Sequence, residues 1–282
     1  MTTHVAIGAS SWRDYNFLAP LSALVWRDWI GIRPVVLRSG DWDKNDRVVT
    51  ALKALDAMKI DHAKVDDIPG YEESTVAQNC RQHASCLDLP PEDWLMPSDA
   101  DLWPLKKEYF HQHEGWVARG VSLYANGDHY QTIPTCHLIL RVKDWRKLGY
   151  GEANQSISGM IKTNLDPWLE TYRQRWPWND RNMAVWMSDQ AMMTDKLRAS
   201  GFYDDVAKVE RYGHPPADRL DRNNWPAGPY KLEDFVDAHL FKAPDQPGNW
   251  ERIFDVFKKI LPQHADFAAD YRERYVKTYS SL

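Results

Sequence analysis

The feature that most restricts what this chain can become is the rhythm of its first hundred residues. HVAIGAS, His4 to Ser10, is a compact apolar run that reads as a buried strand. Phe17, Leu18, Leu21, Leu24, Val25 and Trp29 then recur at the spacing of one helical face, with Asp14 or Asn16 as the expected cap. RPVVLRSG, Arg33 to Gly40, reads as a second strand, and Val48, Leu52 and Leu55 mark a helix over Asp46 to Met58. HAKVDDI, His62 to Ile68, is a shorter and weaker third strand. Val76, Cys80, Ala84 and Leu87 line a helix over Ser74 to Leu87, and DWLMPSDAD, Asp93 to Asp101, supplies the fourth strand. Strand and helix in strict alternation predict an α/β fold with a mostly parallel sheet flanked by helices.

Sheets of this kind bind ligands beyond the carboxyl ends of their strands, next to the point where strand order reverses. Three clusters fall at such ends: Ser10, Ser11 and Trp12 after the first strand, Ser39 to Asp41 after the second, and Asp99 with Asp101 after the fourth.

The middle of the chain is less regular. Gly120 to Asn126 and Thr132 to Val142 read as strands, with a polar loop between them. The tryptophan-rich segment Asn164 to Asn179 reads as a helix or lid running into a loop. A helix starts near Ser188, its expected N-cap, and stops at Gly201. Tyr212 to Tyr230, rich in proline and glycine, reads as loop, and Trp250, Ile253, Phe254, Phe257, Ile260 and Leu261 mark a helical tail. No repeat or low-complexity tract interrupts this, so one compact domain is expected.

Composition excludes several classes. A net charge of −5 gives no basic footprint for nucleic acid. No stretch approaches the length of a transmembrane helix, and the N-terminus lacks a basic n-region. Three cysteines form no disulfide framework and no CxxC pair, which fits a reduced, cytoplasmic setting. Fourteen tryptophans lean towards carbohydrate, because indole faces stack on sugar rings. GxGxxG, Walker A and HExxH motifs are absent. The HQH triplet, His111 to His113, is poorly built for chelation, since residues two apart diverge on either kind of element.

Two carboxylates at i and i+2 just past a strand, Asp99 and Asp101, can meet one hard cation together with phosphate oxygens of a substrate. A solvated turn is the plainer alternative. His239, in the apolar run EDFVDAHLFK, is either a core histidine or a further ligand, with Asp237 its competitor. Asp189 opens a helix: either it answers the helix dipole, or it takes a proton from a sugar hydroxyl. Lys242, or an arginine of the Arg219 to Arg222 loop, can add positive charge near a leaving diphosphate.

The alternation, the DxD after the fourth strand, the later Asp189-Gln190 and the late His239 together resemble the metal-dependent glycosyltransferases of the GT-A fold. The resemblance is strongest over residues 4 to 105 and absent in the tail. It implies a GT-A-like single domain: a nucleotide-binding half over 1–105, a smaller mixed acceptor-side half over 106–245, and C-terminal helices over 246–282. It implies a hexosyl- or pentosyltransferase using a nucleotide-sugar donor, a UDP-sugar foremost, a glycan or glycoconjugate acceptor, and Mn2+ or Mg2+. On this likeness Asp101 ligates the metal directly, while Asp99 faces the ribose or a metal-bound water. His239 stands where many members have a third ligand, and Arg81 where they place a nucleotide-contacting arginine. Ala9, Ser10, Ser11, Asp41 and Lys242 complete the donor contacts. Inversion with Asp189 as base is favoured over retention. The rival readings are a nucleotidyltransferase acting on sugar phosphates and a non-catalytic carbohydrate-binding protein.

Overall fold

A computed structural model of the chain describes residues 1–115, 120–122, 132–175, 185–203 and 219–278. Four parallel strands carry the first part as expected: β1 (Thr3–Ser10), β2 (Arg33–Ser39), β3 (Asp61–Val65) and β4 (Trp94–Asp99). Helices α1 (Arg13–Leu24), α2 (Asp46–Ala57) and α3 (Glu73–Cys80) connect them. The α/β reading therefore holds: a mostly parallel central sheet is flanked by helices.

Strand order in the six-stranded sheet is β3-β2-β1-β4-β7-β6. β1 thus lies between β2 and β4, and the order reverses across the β1–β4 pair. The register pairs Gly8 with Asp99, so the end of β4 meets the end of β1 where a cleft must open. β7 (Leu138–Arg141) runs antiparallel to β4, and β6 (Gly120–Ser122) antiparallel to β7.

β5 (Leu102–Pro104) leaves this sheet directly after the DxD and joins a three-stranded sheet in the order β5-β9-β8. There β9 (Asp237–His239) pairs antiparallel with β5 and parallel with β8 (Arg219–Asp221). The register sets His239 opposite both Leu102 and Asp221. His239, 138 positions downstream of Asp101, is thereby delivered beside that aspartate by strand pairing.

The remaining helices are α4 (Lys107–Phe110), α5 (Val142–Lys147), α6 (Ile157–Arg175), α7 (Ser188–Ser200), α8 (Pro247–Ile260) and α9 (Ala265–Lys277). α8 buries Trp250, Ile253, Val256, Phe257 and Ile260, the stripe its sequence announced. Each such side chain contributes about 1.5–3 kcal/mol of apolar burial. α9 packs against α2.

Several sequence expectations need correction. The third strand stops at Val65 instead of Ile68, where the chain turns towards Pro69 and Gly70. The helix expected over Ser74 to Leu87 ends at Cys80 and tightens into a 3-10 turn over Gln82–Cys86. α1 runs on as a π-helical segment, Val25–Ile30, closed by Gly31 at φ 88°. The strand expected over Thr132 to Val142 is a 3-10 turn at Thr135–His137, then β7, and Val142 already begins α5. Pro134, whose ring supplies no N–H, precedes that turn. β8 lies inside the segment read as loop from Tyr212 to Tyr230. Neither Asp14 nor Asn16 caps α1: Trp12 holds the cap position, and both lie in the first turn. Ser188 is likewise inside α7, with Met187 before it, and accepts a 3.0 Å bond from Asn79 Nδ2. Residues 123–131, 176–179 and 212–218, parts of further segments read from sequence, fall outside the described residues.

α3 lies unusually close to β1. A Cβ built on Gly8 would sit 2.0 Å from the carbonyl oxygen of Ala77, so the helix can rest here only on a glycine.

Candidate active site

A cavity of about 320 Å³ opens at the carboxyl ends of β1 and β4. It gathers Ser10, Arg81, Asp99, Asp101, Asp189, His239 and Lys242, seven of the residues expected from the sequence. Ala9 is fully buried in the core and does not reach it. Ser11 turns instead to Glu73, donating from Oγ at 2.7 Å to Oε2. Asp41 lines a separate cleft with Gly40, Lys44 and Glu73. Ala9, Ser11 and Asp41 thus lie at or near strand ends without lining this cavity.

Asp101 stands at the centre of a charged cluster. Arg222 donates to its Oδ2 at 2.8 Å, Lys242 Nζ lies 3.7 Å from the same oxygen, and His239 Nε2 lies 3.5 Å away. Burial works against the ionised carboxylate, but these neighbours outweigh it and hold Asp101 well below the usual carboxylate range. The other ring nitrogen of His239 meets Asp221 Oδ2 at 3.0 Å. Burial opposes the imidazolium, yet the two aspartates raise its pKa. Lys242 also donates to the Tyr15 hydroxyl at 2.5 Å and sits over that ring, 4.3 Å from its centroid.

Arg81, also lining the cavity, is 3% exposed and bridges two carboxylates. Nη1 donates to Asp99, and Nη2 donates to Asp189 Oδ2 at 2.5 Å. Two carboxylates stabilise the guanidinium more than burial disfavours it, so its pKa rises further. Asp189 is 2% exposed. Its second oxygen accepts from the Gln190 N–H at 2.8 Å, and burial raises its pKa although Arg81 acts against this. Asp237, the competing ligand considered for His239, is spent elsewhere: Arg219 grips it with Nε at 2.7 Å and Nη2 at 2.8 Å. His137 Nε2 adds a 2.9 Å contact.

Among the described residues, four cations (Arg81, Arg219, Arg222, Lys242) and three carboxylates line the cavity. Each carboxylate already faces an arginine. Such a surface suits a polyanion that exchanges some of these partners for its own oxygens. Sequence reasoning missed Tyr15, Asp221 and Trp186. Tyr15 sits in the first turn of α1, just past the strand end, where its place was legible. Asp221 belongs to a strand too short to announce itself. Trp186, 54% exposed at the cavity, was one tryptophan among fourteen. The HQH histidines prove structural: His111 Nε2 bonds the Ile30 carbonyl at 2.8 Å and His113 Nε2 the Thr3 hydroxyl at 2.8 Å.

No protein-family model matches the chain, and no curated protein matches it. Among solved structures it is similar to the glycosyltransferase GlyE of Streptococcus pneumoniae TIGR4. That likeness has a TM-score of 0.40 at 10% identity, over 74% of this chain and 46% of that one. The apo form of GlyE gives 0.39 at 11% identity, over 100% and 64%. The chain thus spans about half to two thirds of the length of GlyE. A galactosyltransferase, LgtC, in complex with donor and acceptor sugar analogs gives 0.45 at 14% identity, over 92% and 96%. Among the described residues, no helix is long and apolar enough to cross a membrane.

Proposed function

We propose that this protein moves a sugar from a nucleoside-diphosphate sugar, a UDP-sugar foremost, to a hydroxyl of a glycan or glycoconjugate. The observation that carries the reading is the company kept by the DxD. Asp99 and Asp101 share one cavity, at the reversal of strand order, with Arg81, Arg219, Arg222, His239 and Lys242. A departing nucleoside diphosphate gains charge on its phosphates, and fixed cations in a partly enclosed site stabilise that charge. Lys242 suits this role: its side chain is 47% exposed and reaches the cavity from beside Tyr15.

A divalent cation, Mn2+ or Mg2+, fits the pair Asp101 and His239. Asp221 on Nδ1 leaves Nε2 facing the Asp101 carboxylate, the arrangement in which a ligating histidine is oriented through its other nitrogen. No three His, Cys, Asp or Glu side chains converge as a metal-holding group among the described residues, so substrate oxygens and water would complete the shell. When bound, the cation would act as a Lewis acid towards the diphosphate. Asp99, engaged by Arg81, is assigned to the ribose or to a metal-bound water. Ser10 is retained as a donor contact. Ala9, Ser11 and Asp41 have no lining position to support one in this cavity.

Asp189 is assigned as the base that takes the acceptor proton in an inverting transfer. Burial makes its carboxylate more basic, which helps proton removal. A second reading has its own support: the 2.5 Å bond from Arg81 ties up one oxygen, which suits a residue that only orients substrate in a retaining transfer. Calorimetry with UDP, with and without Mn2+, tests the whole reading, and product analysis with a set of sugar nucleotides separates transfer of sugar from transfer of nucleotide. Absence of UDP binding under either condition overturns it.

A further inference from the structure

The C-terminal helix lies outside the residues that suggested a function, yet it reaches the candidate active site through a hydrogen-bond chain that starts in the core and ends at the half-buried β1–α1 loop. Tyr275, on α9, donates from its hydroxyl to Asn16 Oδ1 at 2.6 Å. Asn16 Nδ2 then donates to two backbone carbonyls, Ser11 O at 2.7 Å and Trp12 O at 2.6 Å. Tyr275 is 0% and Asn16 1% exposed, so water does not substitute readily for either partner. Both ends of the carboxamide are engaged: its oxygen accepts from the phenol, and its nitrogen donates to the loop. That loop is the short connection from β1 to α1; Ser10 before it and Tyr15, in the first turn of α1 beyond it, both line the cavity.

We propose that Asn16 and Tyr275 are positioning residues for the β1–α1 loop, through which the C-terminal helix sets the shape of the donor-binding wall. Neither side chain touches the cavity itself. A buried amide oxygen left without its donor reorients to seek one, and reorientation of Asn16 removes the side-chain bonds to the Ser11 and Trp12 carbonyls, leaving Trp12 O only the 3.1 Å bond from the Asn16 backbone N–H and Ser11 its 3.1 Å bond to the Ser39 carbonyl. The surroundings are anchored independently: the Ser11 N–H donates to the Ser39 carbonyl at 3.1 Å, and in the first turn of α1 Asp14 Oδ1 accepts from the Ala243 N–H at 2.8 Å, next to Lys242. Loss of the Tyr275 bond therefore frees the loop locally without opening the fold.

An internal control exists in the same helix. Tyr271 is equally buried and stacks on Phe17, with ring centroids 5.2 Å apart. Its hydroxyl donates at 3.0 Å to the carbonyl of Phe17, inside α1 and past the loop. Tyr275→Phe and Tyr271→Phe each delete one buried hydroxyl and keep the ring. Only the first interrupts the chain to Ser11 and Trp12.

The test compares both variants with the wild type by hydrogen exchange over residues 10–16 and by calorimetric affinity for UDP. Tyr275→Phe should speed exchange in that segment and weaken UDP binding about three- to tenfold, the loss equivalent to one buried hydrogen bond. Tyr271→Phe should leave both readouts near wild type, though it lowers the melting temperature to a similar extent. The proposal is overturned if Tyr275→Phe leaves exchange unchanged, if UDP affinity stays at the wild-type value while exchange rises, or if Tyr271→Phe alters both readouts equally. The affinity arm rests on the proposed nucleotide-sugar donor. A wild type that binds no UDP defeats that donor assignment, while the exchange arm still decides whether Tyr275 fixes the loop.

Discussion

Arg81 ties Asp99 to Asp189 through one guanidinium, with Nη2 2.5 Å from Asp189 Oδ2 in a place almost closed to solvent. One cation thus joins the end of β4 to the start of α7. Arg81→Ala strands a buried carboxylate and should cost about 3–5 kcal/mol in urea unfolding. Arg81→Lys keeps the charge but loses the fork that reaches two partners, so it should recover only part of that loss. Paired with Asp189→Leu, Arg81→Ala should cost clearly less than the sum of the single changes. Simple additivity would show that the two residues act separately.

Asp101 and His239 are expected to govern the effect of a divalent cation. Asp101→Asn should leave UDP affinity insensitive to Mn2+ and reduce transfer to background. His239→Ala should weaken Mn2+-dependent UDP binding by about tenfold or more, the range for loss of a metal-site residue or its support, with a smaller effect on melting temperature. An effect on melting temperature alone would return this histidine to a purely structural place.

Asp189→Asn keeps the shape of the side chain and removes its basicity. If the base assignment holds, turnover falls by about a hundred- to ten-thousand-fold while UDP affinity stays near wild type. Product stereochemistry provides the independent check. Retained configuration at the anomeric carbon, or near-normal transfer by the variant, removes Asp189 from this role.

His83 makes acid stability readable. It is fully buried, and burial pushes its pKa down to about 4. Asn164 Nδ2 lies 3.0 Å from Nε2, so that nitrogen accepts, while Nδ1 carries the proton and donates to Asn79 O at 2.8 Å. The neutral ring is thus the form the fold wants. Above about pH 6.5, the ordinary histidine value, both folded and unfolded chains hold it neutral and its contribution is fully present. As pH falls towards 4 the unfolded chain binds the proton first, and stability drops by up to roughly 3 kcal/mol. His83→Gln should flatten this part of the stability–pH curve. An unchanged slope would assign the acid loss to other groups.

The fold of residues 3–99 was legible because its strands are continuous apolar runs and its helices carry apolar stripes. Asp99 and Asp101 could be singled out because strand order alone carries them to a sheet end. The second sheet was hidden, since β8 and β9 have three residues each and are defined by pairing with distant segments. His239 was chosen for its chemistry, and only its pairing with Leu102 explains how it arrives beside Asp101. Ser11 and Asp41 stand at strand ends but off this cavity, because sequence locates the strand end but not the rotamer that leaves it. The Tyr275–Asn16 bond joins residues 259 positions apart, and no local pattern announces such a contact.

The closeness of α3 to β1 at Gly8 has a consequence for how the chain can vary. Cys80 and Arg81 follow Ala77 within one turn, so the distance from Ala77 to the strand also sets how far Arg81 can reach. Even alanine at position 8 forces the helix outward, because the obstacle is a backbone oxygen and no side chain can rotate away. In a library randomised at single positions, this interior site should tolerate fewer residues than the buried aliphatics beside it, and its failures should appear as lost binding before lost folding. A position without a side chain would then rank among the strictest in the protein.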